Sequence, residues 1–188
     1  MGPVVIRTER LLLREWTAED AGDFAVLATD PEVMRYIRDG VASTPEEVAE
    51  FIDRQLTTQR ERGWCRWALQ LRQPSSSEPS GVVGFCGPGC TFAPDVEVGW
   101  WLRPELWGRG LATEAGLAAV GYCFATIGFP RLICCVHPEN ARSLAVARKV
   151  GFVPYDEIEH GGLRIIRHEL LNPLPEPPKD PRFVRDCA

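Results

Sequence analysis

A short run, Val96-Glu97-Val98-Gly99-Trp100-Trp101-Leu102, is followed five residues later by Trp107-Gly108-Arg109-Gly110-Leu111-Ala112-Thr113-Glu114-Ala115. The run reads as a strand. The second stretch opens a helix, because Leu111, Ala115, Ala118, Ala119 and Tyr122 fall on one stripe. Two glycines one residue apart at such a junction leave main-chain N–H groups uncovered beside a helix N-terminus, an arrangement that suits an anion. Glycine turns also simply start helices, and on this stretch alone the two accounts weigh equally. The dinucleotide fingerprint fails: its third small residue is missing, and Ile127-Gly128-Phe129-Pro130-Arg131-Leu132, about 20 positions on, holds no carboxylate. A P-loop fails too, since no Gly-Lys-Ser/Thr follows.

The rest of the chain surrounds this junction with alternating elements. Val4 to Arg14 reads as extended, Thr17-Ala18-Glu19-Asp20 as a helix start, and Asp30-Pro31-Glu32 as a second capped turn. Ser43-Thr44-Pro45-Glu46-Glu47 opens a helix with Val48, Phe51, Ile52 and Leu56 at helical spacing, ending near Gly63. Strands follow at Trp64 to Leu71 and Val82 to Cys86, with Gly87-Pro88-Gly89 expected to break the second. Gly99, inside the next strand, signals a bulge or a close backbone approach. Beyond the glycine loop come a strand at Arg131 to Val136, a helix at Asn140 to Val150, and strands ending near Leu171. The order predicts one α/β (α+β) domain over 1–171 with a mixed sheet, followed by a Pro-rich tail over 172–188 read as an extended appendage.

Composition narrows the function. With 188 residues, 45% of them hydrophobic, the chain can bury a sizeable core. A net charge of −5 without a basic run weighs against nucleic acid and favours a cationic substrate. No stretch approaches 18 apolar residues, so no membrane partner is expected. The seven cysteines follow no secretory signal and lie mostly in apolar stretches, so they read as reduced, in a cytoplasmic protein. Their spacing, and that of His137, His160 and His168, fits no metal site.

Taken in order, Glu97-Val98-Gly99-Trp100-Trp101-Leu102, Trp107 to Ala115, Asn140-Ala141-Arg142-Ser143 and Lys149-Val150-Gly151-Phe152 resemble the GNAT superfamily of acyl-CoA-dependent N-acetyltransferases. With the opening Ile6-Arg7-Thr8-Glu9-Arg10-Leu11-Leu12-Leu13-Arg14, they most resemble the branch that acetylates ribosomal-protein N-termini. The resemblance covers roughly residues 5 to 171. It implies a mostly antiparallel sheet, splayed at a cofactor cleft and flanked by helices. It also implies acetyl-CoA as cosubstrate, and an acceptor that is either a protein N-terminal amine or a small amine such as an amino acid, polyamine or antibiotic. A non-catalytic acyl-CoA-binding module is the alternative outside enzymes. The branch often dimerises, so a homodimer is an open expectation.

Carried over residue by residue, the resemblance assigns Trp107, Gly108, Arg109, Gly110, Leu111, Ala112 and Thr113 to the coenzyme A pyrophosphate, through main-chain N–H groups. Trp107 stands where Gln or Arg is often found, a change expected to matter little. The backbone of Trp100, Trp101 and Leu102 would pair with the pantetheine arm, with Gly99 marking the splay. Glu97, a lone carboxylate between two valines, would serve as base, directly or through water; the plainer account is a solvent-facing strand residue. Many relatives carry Tyr seven residues after the Asn, where this chain has Ala147. Ser143 matches the branch that uses serine to protonate the sulfur, and otherwise caps a helix. Asn140 would bond the pantetheine arm or merely cap. His137 reads as a loop residue, with a proton relay as the lesser option. Acceptor contacts are expected from 31–60 and 156–163, where Glu46, Glu47, Asp156, Glu157 and Glu159 could attract a cation, or form solvated faces.

Overall fold

The computed structural model describes residues 1–38, 40–174, 182, 183 and 187. Its strands are β1 (Val4–Arg7), β2 (Leu11–Arg14), β3 (Trp67–Leu71), β4 (Val82–Gly89), β5 (Glu97–Leu102), β6 (Arg131–Val136), β7 (Val153–His160) and β8 (Leu163–Leu171). Its helices are α1 (Ala21–Ala28), α2 (Pro31–Met34), α3 (Pro45–Arg62), α4 (Leu111–Tyr122) and α5 (Ala141–Val150). The strands form one sheet in the order β1-β2-β3-β4-β5-β6-β8-β7. Every neighbouring pair is antiparallel except β5 and β6, so the expected mixed, mostly antiparallel sheet is present.

Side chains alternate across a strand, and this puts helices on both faces. Phe85 on β4 and Trp101 on β5 are register partners, and their rings join Phe24 of α1 and Phe51 of α3. One residue on, the opposite face of β3 presents Trp67 to Tyr122 of α4. α3 forms where its signals predict: Thr44 and Glu47 make a capping box, Pro45 occupies the first turn, and Gly63 ends the helix at φ 77°.

Four local expectations are corrected. The stretch 4–14 is a hairpin of two strands rather than one extended segment. Gly87-Pro88-Gly89 does not break β4, because its pairs with β3 end at Cys86 and Pro88 needs to match only Val98 of β5. Gly99 lies opposite Gly87 in an unbroken register and marks no bulge. Cys90 and Cys187 form a disulfide, so the seven thiols are not all reduced. Of the tail, residues 175–181, 184–186 and 188 lie outside the described residues. Phe183 packs beside Tyr122 and Cys187 is buried, so the described part folds back onto the domain. Among the described residues no helix is long and apolar enough to cross a membrane.

The first helix is anchored by an ion pair sealed inside the fold. Arg14 of β2 and Asp20 ahead of α1 are 3% and 7% exposed and meet through two hydrogen bonds of 2.7 and 2.8 Å. Burial pushes the Asp20 carboxyl up, but bonds from Arg14 and the Thr17 N–H outweigh it and hold the group below its ordinary value. A depressed carboxylate stabilises the fold above its unfolded pKa, and that contribution is lost as pH falls through the lower, folded value. Asp20→Ala, which strands the Arg14 charge, is expected to lower unfolding free energy by about 3–5 kcal/mol in urea titrations at neutral pH. The difference from wild type should shrink under acid conditions.

Candidate active site

The parallel junction of β5 and β6 is paired only at Glu97 and Ile133, with Ile133 N–H donating to Val96 O at 3.0 Å. Beyond that point the two strands part, and a cleft of about 970 Å³ opens between them. Glu97, Trp100, Trp101, Leu102, Trp107, Gly108, Gly110, Leu111, Ala112, Thr113, Asn140 and Ser143 all line it. Arg109 does not. Its guanidinium turns to Glu78 at 2.5 Å, and it reaches the loop's architecture only through its carbonyl, which accepts from Arg10 Nη1 at 2.8 Å.

The glycine loop has the form that an anion site requires. Gly108 and Gly110 sit at φ 76° and 79°, a left-handed backbone that side chains disfavour, and Gly110 starts α4 without a side-chain cap. A Cβ at Gly108 would meet nothing within 4 Å, and one at Gly110 only an Arg10 nitrogen at 3.6 Å. The space before both glycines is therefore open. Among the described residues, the N–H groups of 108–113 have no acceptor. These features fit a pyrophosphate laid against the main chain.

Two side-chain clamps hold that loop, and neither is visible in the sequence. Glu114 on the first turn of α4 takes bonds from Arg10 Nε (2.7 Å), Arg10 N–H (2.8 Å) and Thr8 Oγ1 (2.5 Å), which tie α4 to the β1–β2 turn. Burial raises the Glu114 carboxyl, and these bonds outweigh it, so the group stays below its ordinary value. Trp107 provides the second clamp. Its indole N–H donates to Leu102 O at 2.7 Å, and Arg142 of α5 lies over its ring at 4.5 Å. Trp107 thereby joins the end of β5, the loop and α5.

Glu97 is 7% exposed, so it is not a solvent-facing strand residue. Nor is it a lone carboxylate, because Arg66, just ahead of β3, donates from Nη2 to Glu97 Oε2 at 2.5 Å and to Thr91 Oγ1 at 2.8 Å. Sequence reasoning missed Arg66. The signal lay in the glycines: a Cβ on Gly89 would stand 2.8 Å from the Arg66 guanidinium carbon, and one on Gly99 3.3 Å from its Nε. The close approach that Gly99 signals is thus made by an arginine.

At the start of α5, Asn140 is the cap, its Oδ1 accepting from Ser143 N–H at 3.1 Å. Ser143 lines the cleft, and the bond it makes to Asn140 is through its main-chain N–H rather than its hydroxyl. His137 accepts from Glu139 N–H and stacks on Tyr36 with ring centres 5.0 Å apart; His160 packs on Phe92 at 4.7 Å. Two of the acids expected to attract a cation, Asp156 and Glu157, are bound to Arg167 and Arg164, and Glu47 to Arg38. Asp156 and Glu157 are charges satisfied at a surface away from the cleft, whereas the Glu47–Arg38 pair lies on its wall.

Comparison with known proteins places this geometry. A profile of the acetyltransferase (GNAT) domain matches residues 10–153. An acetyltransferase of the GNAT family from Bacillus anthracis has a similar structure, with TM-score 0.72, 26% identity, and 89% of this chain and 98% of that one covered. The uncharacterized N-acetyltransferase YoaA of Bacillus subtilis is 28% identical over 79% of this chain and 82% of its own length. Spermidine N(1)-acetyltransferase of Escherichia coli K12 is 27% identical over 79% and 75%. The glycine loop, the parted strands and these likenesses agree: the chain belongs to the GNAT family and is an N-acetyltransferase that takes its acetyl group from acetyl-CoA.

Proposed function

We propose that the acetyl group passes directly from acetyl-CoA to a primary amine in a ternary complex, and that the acceptor is a protein N-terminal amine. The observation that carries the mechanism is the buried Glu97 carboxylate at the point where β5 and β6 part. An ammonium cannot attack a thioester, so a proton must leave the amine first. Glu97 takes it, directly or through water. The nitrogen lone pair then forms the new bond to the acetyl carbon, the carbon–sulfur bond breaks with its electrons on sulfur, and Ser143 gives the thiolate its proton and regains one, through water, from the second proton that the nitrogen sheds as the amide forms. The main-chain N–H groups of residues 108–113 hold the pyrophosphate, and the backbone of Trp100 to Leu102 pairs with the pantetheine arm.

The charges lining the acceptor side support a peptide over a polyamine. Glu32, Glu47, Glu50 and Glu97 face the cleft together with Arg35, Arg38, Arg54 and Arg66. A wall balanced in this way gives a polycation no excess of carboxylates, which separates this chain from what its spermidine-acetylating relative would suggest. The wall runs from α2 to the β7–β8 turn at Gly161, a breadth that suits an extended chain with mixed side chains. A cytoplasmic setting, where acetyl-CoA is at hand, belongs to the same proposal.

Release of free CoA, followed with acetyl-CoA and a panel of N-terminal peptides, amino acids and spermidine, tests the acceptor. Peptides are expected to turn over fastest; turnover of spermidine alone would exclude the peptide reading. Glu97→Gln should lower kcat/KM by about 10²- to 10⁴-fold while acetyl-CoA still binds, and Ser143→Ala should lower kcat by about tenfold because a thiolate leaves readily. Gly110→Ala forces a side chain into a left-handed backbone at about 1–2 kcal/mol, so the acetyl-CoA Kd by calorimetry should rise about 5- to 30-fold.

A further inference from the structure

We infer that Arg66 is a positioning residue for the reaction: it holds one oxygen of Glu97 so that the other is presented to the incoming amine. The inference rests on the role proposed for Glu97. Arg66 Nη2 binds Glu97 Oε2, while Oε1 accepts no hydrogen bond among the described residues and belongs to a side chain that lines the cleft. An amine that enters the cleft therefore meets a carboxylate whose direction is fixed by the contact at its other oxygen.

The surroundings are arranged for Arg66 rather than merely tolerant of it. Its backbone is fixed on both sides, its N–H donating to Gln55 Oε1 at 3.1 Å and its carbonyl accepting from the Trp16 indole at 2.5 Å. Its guanidinium lies over the Phe85 ring at 5.8 Å, across a strip of sheet that Gly89 and Gly99 leave bare. Two glycines within strands weaken a sheet, and the Arg66 Nε is buried without a partner. An apolar pair in place of the ions would usually be no less stable. Stability alone therefore does not account for an ion pair at this point, whereas a need to aim a carboxylate into the gap between β5 and β6 does.

The other groups facing Glu97 do not compete for the proton. Burial, with the Glu97 charge adding to it, pushes the Cys134 and Cys135 thiols on β6 well up; Asp95 acts on Cys135 in the same sense, while Arg167 and Arg66 oppose it. Thr91 is neutral. His137 and His160 line the same cleft, where their contacts are with Glu139, Tyr36 and Phe92 rather than with Glu97.

The test measures kcat and KM at neutral pH for wild type, Glu97→Gln, Arg66→Met, Arg66→Lys and Gly99→Ala, with acetyl-CoA and the best peptide acceptor. Arg66→Met is expected to lower kcat by about 10- to 100-fold and leave KM for acetyl-CoA within about twofold, because the carboxylate loses its aim while the cosubstrate keeps its anchor. Arg66→Lys, which keeps a cation beside Glu97, should restore most of the lost kcat. Gly99→Ala, which crowds Nε without removing any side chain, should lower kcat in the same direction as Arg66→Met. Unchanged acetyl-CoA affinity by calorimetry shows that the fold is intact. Arg66→Met with kcat unchanged, or with lost kcat that Arg66→Lys does not restore at all, overturns the inference when Glu97→Gln lowers turnover as expected. If Glu97→Gln turns over as wild type does, the role of Glu97 falls first and the inference with it.

Discussion

Backbone pairing between β5 and β6 stops after a single register pair, and the rest of the molecule answers to that interruption. A sheet buried between helices cannot leave peptide groups unpaired without cost. Here the unpaired groups line an open cleft, where water or a ligand carrying amides can satisfy them. The helices on the two faces keep the separated strands from closing. α1 and α3 press an aromatic cluster of Phe24, Phe51, Phe85 and Trp101 onto one face, and α4 closes the other through Tyr122 and Trp67.

The chemistry follows from where side chains fall along the interruption. Glu97 occupies the last paired position, so its backbone is held by both neighbouring strands while its side chain meets the gap. The glycine loop begins five residues after β5 ends, and Trp107 returns to bond Leu102, so the donor's anchor and the strand beside the reacting group move as one body. Precision at the reacting atoms depends on such second contacts as much as on the groups that react.

Local chemistry was legible in the sequence; partnership over distance was not. Capping residues and helical spacing marked α3, and two glycines at a strand-to-helix junction marked the loop at Gly108 and Gly110, because each signal is carried within a few neighbouring positions. Gly87-Pro88-Gly89 misled because its meaning depends on where β3 begins, at Trp67, a fact held about 20 residues upstream. Arg66 and Glu97 are 31 residues apart, and only the register of three strands brings them together. Arg10 and Glu114 are 104 apart and meet across a turn that the pattern of apolar residues does not encode. The pairing of Cys90 with Cys187 is of the same kind, since seven cysteines allow many connections and spacing selects none of them.

That disulfide has a practical bearing on how the protein can be handled. Cys90 directly precedes Thr91 and Phe92, both on the cleft wall, and Thr91 holds the same Arg66 nitrogen that binds Glu97. The bond ties Cys187 down one residue from that contact. A thiol reductant added during handling therefore acts one residue away from the network that holds Glu97.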